Sequence, residues 1–192
     1  EYAIASLPTC NAAYKGQTVN VTDGNKGTRT CRNTTGSTYA WVDDDPVYKV
    51  ESYNVNTGNS GATNATNLAA AAADTATGNK TLQFKCGTYS LGTISLTSYT
   101  NLTIEGQGDC TVIDITGSPT AGISISSSTK VVIRNLKITG LATRALSFIS
   151  CTDVLLENVT QSGATQTTSG ATAGIYCDQV TTFKARNVTL SG

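Results

Sequence analysis

The sequence predicts an all-β protein whose main body is a right-handed parallel β-helix of about five coils. A small N-terminal disulfide-linked β module and an Ala-rich capping helix precede it. Three observations predict this. Four segments, 94–106, 123–135, 146–158 and 175–187, superpose without a gap. Each carries apolar residues at its first, third, ninth and eleventh positions, for example Ile94, Leu96, Leu102 and Ile104, or Ile175, Cys177, Phe183 and Ala185. The segments start 29, 23 and 29 residues apart, so all length variation lies outside a constant core. Alternation with period two puts each apolar pair on one strand face. A coil of this size cannot bury its own inner face, whereas stacked coils can.

Residues 1–50 read as the small β-rich module. Its strands are expected at 18–22 and 38–42, with Asp23-Gly24 as a turn signal. Cys10 and Cys31 enclose a loop that a disulfide closes usefully, and Trp41 is expected to anchor the small core. Asp43, Asp44 and Asp45 precede a proline and lack the spaced ligands of a calcium loop, so they read as a solvated turn. Residues 51–66, rich in Asn, Thr, Gly and Ser, read as a linker. Five consecutive alanines then predict a helix over 67–78, capped by Thr66 or Asn67 and ended by Gly78. Its small apolar face suits a lid across the end of a strand stack. From residue 67 to 192 the chain reads as this helix followed by the β-helix. Each coil bends near the seventh position of its segment, and a third side follows at 136–138, 159–161 and 188–190.

Two columns at the next bend specify the register. Glu105, Arg134, Glu157 and Arg186 occupy one outward position, so their charges alternate from coil to coil. Neighbouring strands lie about 4.7–4.9 Å apart. A shifted register would place like charges together, so the alternation selects one stacking. The following position holds Gly106, Asn135, Asn158 and Asn187. Asn tolerates left-handed backbone, and stacked Asn amides hydrogen-bond along a column.

Composition removes several function classes. The chain has 13 basic and 13 acidic residues and no histidine. Zero net charge without a basic cluster argues against a nucleic-acid partner. The missing histidine excludes Ser-His-Asp and Cys-His chemistry and His-ligated zinc. Six cysteines, none in a CxxC pair, read as disulfides of an oxidising compartment, with Cys86–Cys110 as a second bridge near the first bends. Cys177 is expected to face inward and be buried, and its pairing with Cys151 stays open. No apolar run spans a membrane. The chain starts Glu-Tyr, without an initiator Met, and reads as a processed or excerpted polypeptide whose export signal is gone. No cofactor or metal is expected.

The stretch Thr81-Leu-Gln-Phe-Lys-Cys-Gly-Thr-Tyr89, after the Ala-rich helix and before Leu102-Thr-Ile-Glu-Gly-Gln-Gly108, resembles the start of right-handed β-helix proteins of the pectin-lyase-like superfamily. That group includes phage tailspikes, polysaccharide lyases and hydrolases, and bacterial surface adhesins. The resemblance covers residues 67–192 and implies the fold rather than an activity. The polygalacturonase and pectate-lyase patterns are not found. Arg134 and Arg186 sit at edge positions between glutamates, and Asp109, Asp114, Asp153, Glu157 and Asp178 do not form an evident catalytic pair. The expected function is a non-catalytic structural or adhesive subunit of an extracellular fibre, spike or filament. Its partners would be copies of itself or other appendage subunits, with surface polysaccharide as a further partner. The alternatives are a fragment of a polysaccharide-degrading tailspike or lyase, or a carbohydrate-binding module using loops 139–144 and 161–173. The last coil exposes Ile175, Phe183 and Val188, which form the expected assembly face, to be covered either by further coils or by a neighbouring subunit.

Overall fold

The computed structural model describes residues 7–21, 27–35, 38–43, 47–73, 79–116, 121–140, 144–163 and 173–191. The chain forms two compact units, Glu1–Tyr48 and Lys49–Gly192. In the first, strands β1 (Thr18–Val21), β2 (Gly27–Thr35) and β3 (Thr38–Asp43) make an antiparallel meander. Cys10 and Cys31 are bridged, with Cα atoms 5.6 Å apart. Trp41 lies opposite Cys31 on β3. Asp23, Gly24, Asp44 and Asp45 fall outside the described residues. A short strand, β4 (Val47–Lys49), follows in sequence and lies outside the three-stranded meander.

Residues 51–66 are not a linker. A 3-10 turn at Val50–Tyr53 buries Val50, and the helix α1 runs over Gly61–Ala73, six residues earlier than the alanines indicate. The polar residues account for the shift. Ser60 caps the helix through its Oγ, which accepts from Thr63 N at 3.2 Å. The side-chain amides of Asn56, Asn59 and Asn67 all donate to Asn54 O. Asn64, Leu68, Ala71 and Ala72 form the buried face, spaced as one side of a helix. This face packs against the first coils, so α1 does serve as a lid. The expected helix end at Gly78 lies outside the described residues.

The rest is a parallel β-solenoid of about four turns. Strands β5 (Asn79–Gln83), β6 (Gly87–Ser90), β7 (Ile94–Thr97), β8 (Asn101–Glu105) and β9 (Thr111–Asp114) form its first rungs. They are followed by β10 (Ala121–Ser126), β11 (Lys130–Thr139), β12 (Arg144–Ile149), β13 (Asp153–Ser162), β14 (Ala173–Asp178) and β15 (Thr182–Ser191). One sheet stacks in the order β14-β12-β10-β7, the other in the order β15-β13-β11-β8-β5. The register is Ile94–Ile123–Leu146–Ile175 on one side and Leu102–Val131–Val154–Phe183 on the next. The second and third sides of a coil are single bent strands in β11, β13 and β15. Gly87-Thr-Tyr89 begins strand β6 rather than making a turn, and Cys86–Cys110 joins the bends beside it.

A polar cluster ties the 3-10 turn to the first coil. Glu51 Oε1 accepts from Tyr89 Oη at 2.8 Å and from Lys85 N at 3.1 Å. Burial, and then the hydrogen bond and charge of Glu51, push the Tyr89 hydroxyl above its ordinary range. Burial acts on Tyr99 in the same direction; its hydroxyl donates to Ala72 O at the end of α1. The unfolded chain loses these protons near pH 10, whereas the folded chain keeps them. Stability from this source is therefore full below about pH 10 and falls as the pH rises further. Urea unfolding between pH 8 and 11 should show that decline, and Tyr89→Phe should make it shallower. An equally steep decline in the variant would remove Tyr89 as its origin.

Candidate functional site: the last described coil

The chemistry-bearing features converge on the last coil. Position 11 of the apolar pattern is followed by the outward charge column. Gln83 Nε2 donates to Glu105 Oε1 at 2.9 Å, and Arg134 approaches Glu105 through Nε at 2.8 Å and a terminal nitrogen at 2.6 Å. Arg134 lies level with Glu157, and Glu157 with Arg186, whose charged groups are 3.8 Å apart. Lys184 and Asp153 make a parallel contact at 3.8 Å. The Lys184–Asp153 and Arg186–Glu157 pairs are largely exposed, so each contributes only about 0.2–1 kcal/mol and acts mainly on register, whereas Glu105 is part-buried under Arg134.

The asparagine column has a direction. Asn187 Nδ2 donates to Asn158 Oδ1 and Asn158 Nδ2 to Asn135 Oδ1, both at 2.9 Å. All three residues take left-handed backbone, with φ of 54°, 52° and 50° in chain order. Gly106 does not belong to this column in the same sense, because it is absent from the positive-φ residues. It is small because a Cβ there would sit 2.6 Å from Asn135 O.

A second left-handed column was not legible in advance. Ser98, Ser127, Ser150 and Gln179 have φ of 67°, 50°, 54° and 54° and make the first bend of each coil. The bend is thus at the fifth position of the segment rather than near the seventh. Each N–H in this column donates to the coil above: Ser98 to Ser126 O, Ser127 to Ile149 O and Ser150 to Asp178 O. The recurrent Ser, Ser, Ser, Gln between two apolar pairs was the available signal.

At the end of the stack these patterns meet solvent. Phe183 is 40% exposed, although Leu102, Val131 and Val154 below it are buried. Leu190 is 54% exposed above buried Gln161 and Ile138, and it belongs to the same face as Ile175 and Val188. Ile175 and Val188 are half-buried. Cys177 takes the inward register above Phe148 but is exposed, contrary to the sequence expectation, because no rung lies above it among the described residues. Burial of its lower side and the nearby Cys151 raise its thiol pKa. Cys151 is buried, and both thiols are free.

Elsewhere the surface offers less. A shallow depression of about 390 Å³ lies on the outer face of β8 and β11, lined by Asn101, Thr103, Lys130 and Arg134 among others. Asp153 and Glu157 both lie on β13, each 3.8 Å from a cation of β15. Asp114 accepts from Thr116 N in its own turn at 3.0 Å. Among the described residues, no group of three His, Cys, Asp or Glu side chains could share a metal ion. No helix among them is long and apolar enough to cross a membrane. Comparison with protein-family models, curated proteins and solved structures found no match to this chain.

Proposed function

We propose that this chain is a non-catalytic structural element of an extracellular appendage, a fibre or spike, joined to its neighbour end to end through the last coil. The observation that carries the reading is the exposure of interior positions on β14 and β15, the last strands of their sheets among the described residues. Side chains at core positions, Phe183 and Leu190 foremost, are exposed beside two strands that pair on one side only among the described residues. Such an edge is a template for a further strand, and soluble solenoids cover it. The lid formed by α1 at the opposite end makes the two ends unlike, as head-to-tail growth requires. Two disulfides fit an oxidising compartment outside the cell. The stacked coils also fit the resemblance to pectin-lyase-like adhesins and tailspikes, which we adopt as the family-level reading.

Sedimentation and electron microscopy of the intact chain test this. Association should rise with concentration, and the double variant Phe183→Ser, Leu190→Ser should abolish it while leaving the far-ultraviolet spectrum unchanged. A chain that stays monomeric, with the amides of 175–191 protected from exchange, would overturn the reading.

A further inference from the structure

We propose that the outer face of the paired strands β8, β11, β13 and β15 is a lateral docking surface for a second copy of this chain. The two copies are related by a two-fold axis that runs along the strands, midway between β11 and β13. This contact is separate from end-to-end joining and is decided by two middle strands of the stack.

The charges on this face are sorted by strand. Val131 and Ile133 are buried, and so are Val154 and Leu156, so alternation turns the residues between them to the outside. The outer face of β11 then carries Lys130 and Arg134 on either side of Val132, two positive charges. That of β13 carries Asp153 and Glu157 on either side of Leu155, two negative charges. The flanking strands continue the alternation, with Glu105 on β8 and with Lys184 and Arg186 on β15.

Two such faces can meet about a two-fold axis in two ways. An axis along the solenoid lays each strand on its own copy. Lys130 then meets Arg134, and Asp153 meets Glu157, which opposes like charges throughout. An axis along the strands, midway between β11 and β13, lays β11 on β13 and β8 on β15. Lys130 then meets Asp153, Arg134 meets Glu157 and Val132 meets Leu155. Each of these contacts is made twice, as in any isologous pair. Glu105 meets Arg186 at the margin.

Shape and bonding agree with the charges. The shallow depression on β8 and β11 has short side chains, Thr103 and Val132, at its middle. The same rotation sets the longer Lys184 and Leu155 over those two positions. Lys130 is exposed and has no ion pair among the described residues. Asp153 and Glu157 meet their own cations at 3.8 Å, beyond hydrogen-bonding distance, and Asp153 Oδ1 has no hydrogen-bond partner among the described residues. Both carboxylates can therefore take a further donor. Four strands of five residues cover about 300 Å² per copy, against about 800 Å² in a standard interface. The pair is accordingly weak for isolated chains, and it gains strength where many copies are held side by side.

Sedimentation equilibrium of the intact chain carrying Phe183→Ser and Leu190→Ser separates this contact from end-to-end joining. The association those substitutions remove is apolar and resists salt, whereas the lateral one is screened by it. At low salt and up to about 1 mM chain, the substituted protein should form dimers that dissolve at high salt. Adding Lys130→Glu or Asp153→Lys should weaken the dimer about tenfold, since two exposed attractions become repulsions. Mixing these two variants in equal amounts should restore it, because every opposed pair again has opposite signs. A mixture of the Lys130→Glu and Glu157→Lys variants should stay weak. Restoration in both mixtures would overturn the two-fold axis in favour of a parallel stagger by one strand, in which Lys130 meets Glu157. A monomer at low salt would overturn the lateral surface, whatever the unsubstituted chain does end to end. Failure of the end-to-end reading shows separately, as an unsubstituted chain without salt-resistant association. If Phe183→Ser, Leu190→Ser alters the far-ultraviolet spectrum, the same mixtures made in the unsubstituted chain, compared at low and high salt, decide between these outcomes.

Discussion

Replacing Asn64 by leucine is expected to lower the stability of the Lys49–Gly192 unit by about 3 kcal/mol. Asn64 is fully buried. Its Oδ1 accepts from Asn56 N at 3.0 Å and from Asn59 Nδ2 at 3.1 Å. Its Nδ2 donates to Asn56 O at 2.9 Å and to Ser90 O at 2.8 Å. Leucine has the same branching but is larger, and it leaves four polar groups without this partner. Each buried group left unsatisfied costs about 1–3 kcal/mol, and relaxation toward solvent on the Asn59 side recovers part of the sum. Asn64→Asp should cost no less, because it keeps the acceptor but turns a carboxylate toward two carbonyl oxygens. Urea denaturation checks both. A loss below about 1 kcal/mol for Asn64→Leu would mean that the segment before α1 is not docked on the first coil. The buried, fully engaged amide also makes the Asn64-Ala-Thr66 sequon unsuitable for a glycan.

Asn64 also shows where the sequence is hard to read. Composition placed it in a linker, because Asn, Thr, Gly and Ser seldom form cores. The structure uses those residues as caps and cross-braces, with Ser60 opening α1 and Asn54 O collecting three side-chain amides. Such roles depend on partners distant in sequence, such as Ser90 O, which no local pattern reveals. The coils were legible for the opposite reason. Each buried strand position is set by period-two alternation, which runs unbroken through β8 and is interrupted in β11 and β13 only at the bends, Arg134-Asn135 and Glu157-Asn158. The charge and asparagine columns were legible because they recur at fixed distances from those apolar positions. The first bend was placed two residues too late because serine carries little left-handed preference, so Ser98, Ser127 and Ser150 gave no signal alone. Cys177 was misjudged because its inward register was clear, whereas its exposure depends on what lies above it.

Gly106→Ala is expected to cost about 2–3 kcal/mol, and the reason is space rather than backbone freedom. The alignment with Asn135, Asn158 and Asn187 points to a left-handed residue, for which Asn would be a natural replacement. The structure removes that explanation, since Gly106 is not among the positive-φ residues. A Cβ at Gly106 would lie 2.6 Å from Asn135 O, 2.6 Å from Thr111 Cβ and 2.7 Å from Thr111 Cγ2. One obstacle is backbone, and it belongs to a carbonyl that already accepts from Gly108 N at 2.8 Å. The other is a buried threonine whose hydroxyl donates to Lys85 O and accepts from Gln107 N. Neither gives way without breaking bonds that hold the bend at Gly106 beside the Cys86–Cys110 bridge. Gly106→Asn should therefore be at least as costly as Gly106→Ala, even though it completes the column in sequence. Gly108→Ala is the control. Its φ is +88° with nothing within 4 Å of the added carbon, so only the left-handed penalty of about 1–2 kcal/mol applies. Thermal unfolding of the three variants orders them. A neutral Gly106→Asn would show that an amide column, and not the close approach of Asn135 O, determines this position.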